Sequence, residues 1–200
     1  GGVLPLEPDF VRALGELCKE KDILLIVDEV QTGNGRTGKL YGYMNYGVKP
    51  DIMTTAKALG CGVPVGAFLM TEKVAASSLV AGDHGTTYGG NPLAAAAINK
   101  VLDLFEEKHI IENVETVGSY LEKRLEELVE KYDVIETRRG MGLMQGLVFT
   151  QPVGSIIQKA LDAGLVLINA GEKIIRFIPP LVITKEHVDE MMDILESCLQ

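Results

Sequence analysis

Apolar positions recur along this chain with two different spacings, and the switch between them lays out the elements. Residues 8–21 have the helical period: Phe10, Leu14 and Leu17 share one face, and Pro8-Asp9 supplies a start. An unbroken apolar run follows, Ile23-Leu24-Leu25-Ile26-Val27, closed by Asp28-Glu29 and by the Gly-rich turn Thr32-Gly33-Asn34-Gly35-Arg36-Thr37-Gly38. A run of that length, rich in β-branched residues, predicts a strand buried on both faces of a parallel sheet. Residues 41–48 predict one helical turn under an aromatic cluster, 51–56 a second strand after Pro50, and 65–70 a third. Thr71 is placed to cap a short helix through Leu79, and a polar, glycine-dense loop over 82–92 leads into an Ala-rich helix from Leu93 to about Glu107.

The texture changes at 108–113. Residues 111–131 predict a charged amphipathic helix with Val114, Val117, Leu121, Leu125 and Leu128 inward. Strands follow at 134–138 and 143–150, a helix at 153–163, strands at 165–169 and 174–178, and a last helix at 185–199 capped by Thr184. This half reads as an α+β unit with its own core. The expected organisation is therefore two domains, 1–110 and 111–200.

Composition narrows the function classes more than the fold. A net charge of −9 argues against nucleic-acid binding, which needs clustered Lys and Arg to neutralise phosphates. The three cysteines are odd in number and far apart, so no disulfide framework is expected, and a reducing, cytoplasmic setting is the default. His84, His109 and His187 are scattered, which disfavours a metal site. No apolar run has transmembrane length, so no membrane span is expected. The opening Gly1-Gly2-Val3-Leu4-Pro5-Leu6 has no initiator Met and reads as the start of a fragment in mid-fold.

Two carboxylates at the end of a buried strand sit where open α/β sheets bind ligands. Ile26-Val27-Asp28-Glu29 also has the shape of an ATPase strand, although no Gly-rich loop ending in Lys-Ser/Thr occurs in this chain. Lys57 points elsewhere. It follows the second strand by one residue, lies 29 residues after Asp28, and precedes a Gly-rich turn, so both side chains can reach one cleft. The loop Gly85-Thr86-Thr87-Tyr88-Gly89-Gly90-Asn91-Pro92 adds hydroxyls and free backbone N–H groups ahead of a helix, which suit a phosphate monoester. An amine, a carboxylate and a phosphate cradle together describe a pyridoxal-phosphate site.

These segments, Asp28-Glu29-Val30-Gln31-Thr32-Gly33, Gly35-Arg36-Thr37-Gly38, Ala56-Lys57 and the threonine-glycine loop, resemble the class III aminotransferases. Within that class, Gly38-Lys39-Leu40-Tyr41 and Gly62-Val63-Pro64-Val65-Gly66-Ala67 look most like the branch that acts on N-acetylornithine, with ornithine or 4-aminobutyrate as the alternative donors. The resemblance implies a pyridoxal-phosphate-dependent transferase-like fold (fold type I, α/β), here the C-terminal part of the large sheet domain followed by a small α+β domain. It also implies pyridoxal 5′-phosphate as cofactor, an amino donor and 2-oxoglutarate as substrates, and a homodimer with shared active sites. Lys57 would carry the cofactor and move the proton, and Asp28 would keep the pyridine nitrogen protonated. Gln31 would bond the phenolic oxygen, and Thr87 would bind phosphate in the neighbouring subunit's site. Thr86 would lie near substrate, and Arg176, in Ile175-Arg176-Phe177-Ile178-Pro179-Pro180, would grip its α-carboxylate as a planar fork. Glu29 is expected to be structural, and Arg138-Arg139-Gly140-Met141-Gly142 to serve packing and a hinge.

The resemblance further implies that about half of such a polypeptide lies before Gly1, including the main phosphate-binding helix N-terminus and an aromatic residue stacked on the ring. The chain alone is accordingly expected to be inactive and to leave a sheet edge unpaired. The rival from another class is a truncated homologue kept as a folding or interaction unit.

Overall fold

The computed structural model describes residues 2–200. By internal contacts the chain divides into Leu6–Ile110 and a second unit made of Ile111–Gln200 together with the N-terminal residues through Pro5.

In the first unit, helix α1 (Pro8–Glu20) starts with Pro at its first turn and hands over directly to strand β1 (Ile26–Asp28). The handover is tied by Ile23 N–H donating to the Cys18 carbonyl. Strand β2 (Ile52–Ala56) lies parallel to β1 in the register Ile26↔Ile52 to Asp28↔Thr54, and β3 (Gly66–Met70) pairs antiparallel on the far side of β2. The Asp51 carboxylate accepts from Leu25 N–H at 2.9 Å and locks that register at its start. A 3₁₀ turn over Gly42–Tyr46 fills the crossover, with Tyr41 and Tyr43 stacked. Helices α2 (Glu72–Ser78) and α3 (Pro92–Glu107) complete the unit.

The apolar run does not end up as expected. Only Ile26–Asp28 forms a ladder, and Ile23, Leu24 and Ile26 are 55%, 49% and 60% exposed. The reason is topological: β1 is an edge strand of a three-stranded sheet, and this chain supplies no layer to cover it on both faces. The apolar face of α1 shares the condition, since Phe10, Leu14 and Leu17 are also exposed. Thr71 occupies the N-cap position of α2, but its side chain makes no capping bond; its hydroxyl oxygen is buried without a partner among the described residues.

The second unit closes on itself. Helix α4 (Ile110–Lys131) places Val114, Val117, Leu121, Leu125 and Leu128 in the core at helical spacing. They face a four-stranded antiparallel sheet in the order β4-β5-β7-β6, built from β4 (Ile135–Met141), β5 (Met144–Phe149), β6 (Ile168–Asn169) and β7 (Ile174–Phe177). Helices α5 (Gly154–Asp162) and α6 (Lys185–Leu199) pack alongside; Thr184 N–H donates to His187 Nδ1 at the start of α6. The double-arginine segment forms the β4–β5 hairpin. Arg138 reaches Glu122, Glu126 and the buried Gln145, and a Cβ on Gly118 of α4 would come within 2.9 Å of the Gly142 backbone at the hairpin turn. Val3, buried, lies against Gly146 of β5.

Candidate active site

Because β1 and β2 are parallel, their carboxyl ends open on one edge of the sheet, and consecutive side chains there point to opposite faces. Asp28 takes one face. Its Oδ1 accepts from Val30 N–H at 2.9 Å and from the Thr54 hydroxyl at 3.3 Å, which fixes the rotamer. Its Oδ2 accepts nothing from the described residues, and the residue is exposed.

Glu29 takes the other face and is 1% exposed. Its two oxygens accept from the Thr32 hydroxyl (2.6 Å), Gly42 N–H (2.8 Å) and Tyr43 N–H (2.7 Å). A buried carboxylate is tolerated when such donors satisfy it. Here it pins the turn after β1, where Gln31 sits half-buried, to the start of the 3₁₀ segment. The neighbouring carboxylates thus have separate surroundings, one open and one consumed in structure.

Lys57 is the first residue after β2. Its φ of +50° is left-handed, a conformation that costs an ordinary L-residue roughly 1–2 kcal/mol. From there the chain makes a short 3₁₀ turn, Lys57–Leu59, closed by Gly60 N–H on the Lys57 carbonyl. The side chain is exposed and has no ion pair among the described residues. An amine and a carboxylate oxygen, both left open at the carboxyl ends of paired strands, fit a ligand that offers an electrophilic carbon and a protonated ring nitrogen.

Beneath this edge lies a polar cluster that sequence reasoning missed. Asn34, 3% exposed, donates from Nδ2 to the Thr55 hydroxyl (3.1 Å) and to the Ala56 carbonyl (3.4 Å). Thr55 also hydrogen-bonds the Tyr41 side chain, whose phenol is pushed above its ordinary pKa chiefly by desolvation, against the opposing effect of that bond. Arg36 nearby in sequence is lowered to about 10 by burial and keeps its charge at neutral pH. One signal was available: an Asn between two glycines marks a left-handed turn position, and Asn34 has φ +52°.

Thr86 and Thr87 lie in the exposed loop between α2 and α3. Gly89 cannot be replaced there without displacing Thr86, whose methyl would stand 2.1 Å from an added Cβ. Asn91 ends the loop: Nδ2 donates to the Tyr88 carbonyl (2.9 Å) and Oδ1 caps α3 by accepting from Ala94 N–H (3.0 Å). The threonines therefore sit on a shaped loop of the same unit as Asp28, Gln31 and Lys57.

Arg176 belongs to the second unit. On β7 it pairs with Gly146 of β5 and Ile168 of β6, so it occupies an inner strand and not a sheet edge. Its neighbours Ile175 and Phe177 point into the core, and Arg176 lines a largely apolar cleft of about 490 Å³ with Val166, Ile168, Pro179 and Met191.

Comparison with known proteins places these residues in context. Residues 1–199 match the family model described as Aminotransferase class-III. The chain is 46% identical over 199 residues to the acetylornithine aminotransferase of Gloeobacter violaceus, covering 98% of this chain and 49% of that protein. It is also 46% identical to the acetylornithine aminotransferase of Aquifex aeolicus, covering 100% of this chain and 51% of the relative. Among solved structures, Plasmodium falciparum ornithine delta-aminotransferase superposes with a TM-score of 0.93 at 37% identity, over 99% of this chain and 52% of that one. An S-selective transaminase from Arthrobacter sp. with alanine bound gives 0.93 at 30% identity, over 99% and 48%. The shared fold is mixed α/β, fold type I, and the chain spans about half the length of the curated relatives it matches.

Proposed function

We infer that this chain, which belongs to the class III aminotransferase family, supplies the lysine–carboxylate edge of an active site that moves an amino group with pyridoxal 5′-phosphate. The observation that carries the reading is the pair of open groups, Asp28 and Lys57, at the carboxyl ends of adjacent parallel strands. When bound, the cofactor supplies an aldehyde carbon for an amine and a ring that delocalises negative charge. Asp28 would hold the ring N–H on Oδ2, its rotamer already fixed through Oδ1. Lys57 would hold the cofactor through its Nζ and would take and return a proton as general base and acid. Gln31 would bond the phenolic oxygen, and Thr87 would bind phosphate, its exposed loop being suited to a site shared with a second copy in a homodimer. Thr86 contacts substrate. Arg176 pairs in a planar, bidentate way with the substrate α-carboxylate. In these terms 1–110 is the C-terminal portion of the cofactor-binding domain and 111–200 the small α+β domain.

The substrate reading is N-acetylornithine as donor and 2-oxoglutarate as acceptor, in arginine biosynthesis in the cytoplasm; the names of the relatives at 46% identity support it. Ornithine is the second reading, favoured by the 37% identical ornithine aminotransferase structure. This chain by itself is proposed to be inactive, because Ile23, Leu24 and Ile26 at the edge of its sheet lack cover. The test is amino transfer to 2-oxoglutarate from N-acetylornithine, ornithine and 4-aminobutyrate, by the full-length protein and by this chain, each with Lys57→Ala beside it. Transfer by the full-length protein that survives Lys57→Ala would sink the reading of the lysine. Transfer by this chain alone would overturn its inactivity, and no transfer from any donor would leave the truncated, non-enzymatic homologue as the better account.

A further inference from the structure

We propose that Asn34 is a positioning residue for Lys57, holding the last peptide plane of β2 so that the lysine leaves the strand with left-handed backbone. The inference rests on the reading of Lys57 as the cofactor-bearing amine.

Lysine has no local reason to adopt φ +50°: it lacks the short polar side chain that lets Asn or Asp bond their own backbone there. Something outside the residue must impose it. The angle φ of Lys57 is a rotation relative to the peptide plane that joins Ala56 to Lys57, and the carbonyl of that plane accepts from Asn34 Nδ2 at 3.4 Å. The same nitrogen donates to the Thr55 hydroxyl one residue earlier, at 3.1 Å. Thr55 is 2% and Asn34 3% exposed, so the bond between them is not exchanged readily for water. Ala56 itself is extended, with φ −162° and ψ −151°, and the backbone turns sharply only at Lys57.

Asn34 can hold that plane because it is itself held, while Gly60 N–H on the Lys57 carbonyl at 3.2 Å sets the other side of the rotation. Gly33 N–H donates to the Glu29 carbonyl at 3.0 Å, Gly35 N–H donates to the Leu40 carbonyl at 3.1 Å, and the Glu29 carboxylate ties down Gly42 and Tyr43 beyond. One turn thus runs from the end of β1, beside Asp28, to the end of β2, beside Lys57. The side chain has to be an amide. An Asp carboxylate would repel the Ala56 carbonyl, and an apolar residue would leave it without this donor.

The experiment labels Lys57 with pyridoxal 5′-phosphate in the full-length protein, traps the product with borohydride and maps it by peptide mass. In labelling, the lysine nitrogen attacks the aldehyde carbon, a C=N bond forms and water leaves; borohydride then delivers hydride to carbon and the nitrogen takes a proton. Asn34→Gly keeps the left-handed turn and removes the amide. Asn34→Asp keeps the shape and tolerates the same φ, and carries the test should the glycine variant fail to fold. In both, with circular dichroism unchanged, half-labelling of Lys57 is expected to need about tenfold more cofactor, the scale of one or two buried hydrogen bonds. The exposed Lys123 serves as the internal control and should not change. Thr55→Val, which spares the bond to the Ala56 carbonyl, should shift labelling less than either. Labelling of Lys57 within twofold of the parent in folded Asn34 variants overturns the inference alone. Absence of Lys57 labelling in the unchanged protein overturns the reading of Lys57 as well.

Discussion

Glu29→Gln isolates what the buried carboxylate contributes, because it preserves shape and removes one acceptor. Oε1 accepts from Tyr43 N–H, and Oε2 from Gly42 N–H and the Thr32 hydroxyl. Thr32 can rotate its hydroxyl and accept from a new amide; a backbone N–H cannot. Whichever way the glutamine is turned, its NH₂ therefore faces a backbone donor and one buried N–H is left without its partner. A hydrogen bond to a charged group is worth roughly 1.5–3 kcal/mol, and a buried unsatisfied donor costs about 1–3 kcal/mol. These overlap, and relief of the carboxylate's own desolvation offsets part, so the expected loss is about 2–4 kcal/mol.

Urea unfolding reads this loss directly. With a slope of about 2 kcal/mol per molar, the middle of the range for small proteins in urea, the midpoint should fall by roughly 1–2 M. The chain has six tyrosines and no tryptophan, and Tyr41, Tyr43 and Tyr46 lie in or beside the segment that Glu29 holds, so tyrosine fluorescence is a suitable probe. Faster hydrogen exchange at Gly42 and Tyr43 should accompany the shift. Asp28→Asn, on the exposed face, should cost less than about 1 kcal/mol by the same assay, since an amide oxygen can still serve Val30 and Thr54. A Glu29→Gln loss below about 0.5 kcal/mol would refute the claim that this carboxylate carries the turn.

Three further outcomes follow from the same contacts. Gly118→Ala should destabilise the second unit by about 1–3 kcal/mol despite alanine's better helix propensity, because the new Cβ meets backbone atoms of Gly142 at 2.9 Å; a thermal melt with no fall in midpoint would contradict that close approach. Tyr41 is held protonated above its ordinary pKa, so the unfolded chain loses that proton first as pH rises past about 10, and stability should decline from there up to the raised folded value. Comparing urea midpoints at pH 8.5 and above pH 10 should reveal an alkaline loss in the parent that Tyr41→Phe reduces; equal losses would refute it. Arg138→Ala leaves the Gln145 oxygen, in a fully buried side chain, without its donor and strands Glu122 and Glu126, and should cost about 2 kcal/mol in chemical denaturation.

What could be read from the sequence tracks where each residue finds its partners. The spacing of Val114, Leu121 and Leu128 named a core face correctly because the sheet and helices that cover it lie within the same 90 residues, Ile111–Gln200. The run 23–27 has equally apolar residues, yet they stand exposed: periodicity reports what a segment can bury, and the covering layers must be present for burial to follow. The same distinction separates the two carboxylates. Alternation along β1 predicts that Asp28 and Glu29 face opposite ways, but it cannot say which one meets donors. The donors that decide it are Gly42 and Tyr43, 13 and 14 positions further on. Asn34 is the extreme case, since its partners Thr55 and Ala56 are 21 and 22 residues away and nothing in its own neighbourhood names them. The family resemblance was legible because the types and order of the residues that carry it are distinctive. The contact of Asn34 with the end of β2 was not, because it depends on where the turn after one strand lands against the end of the next.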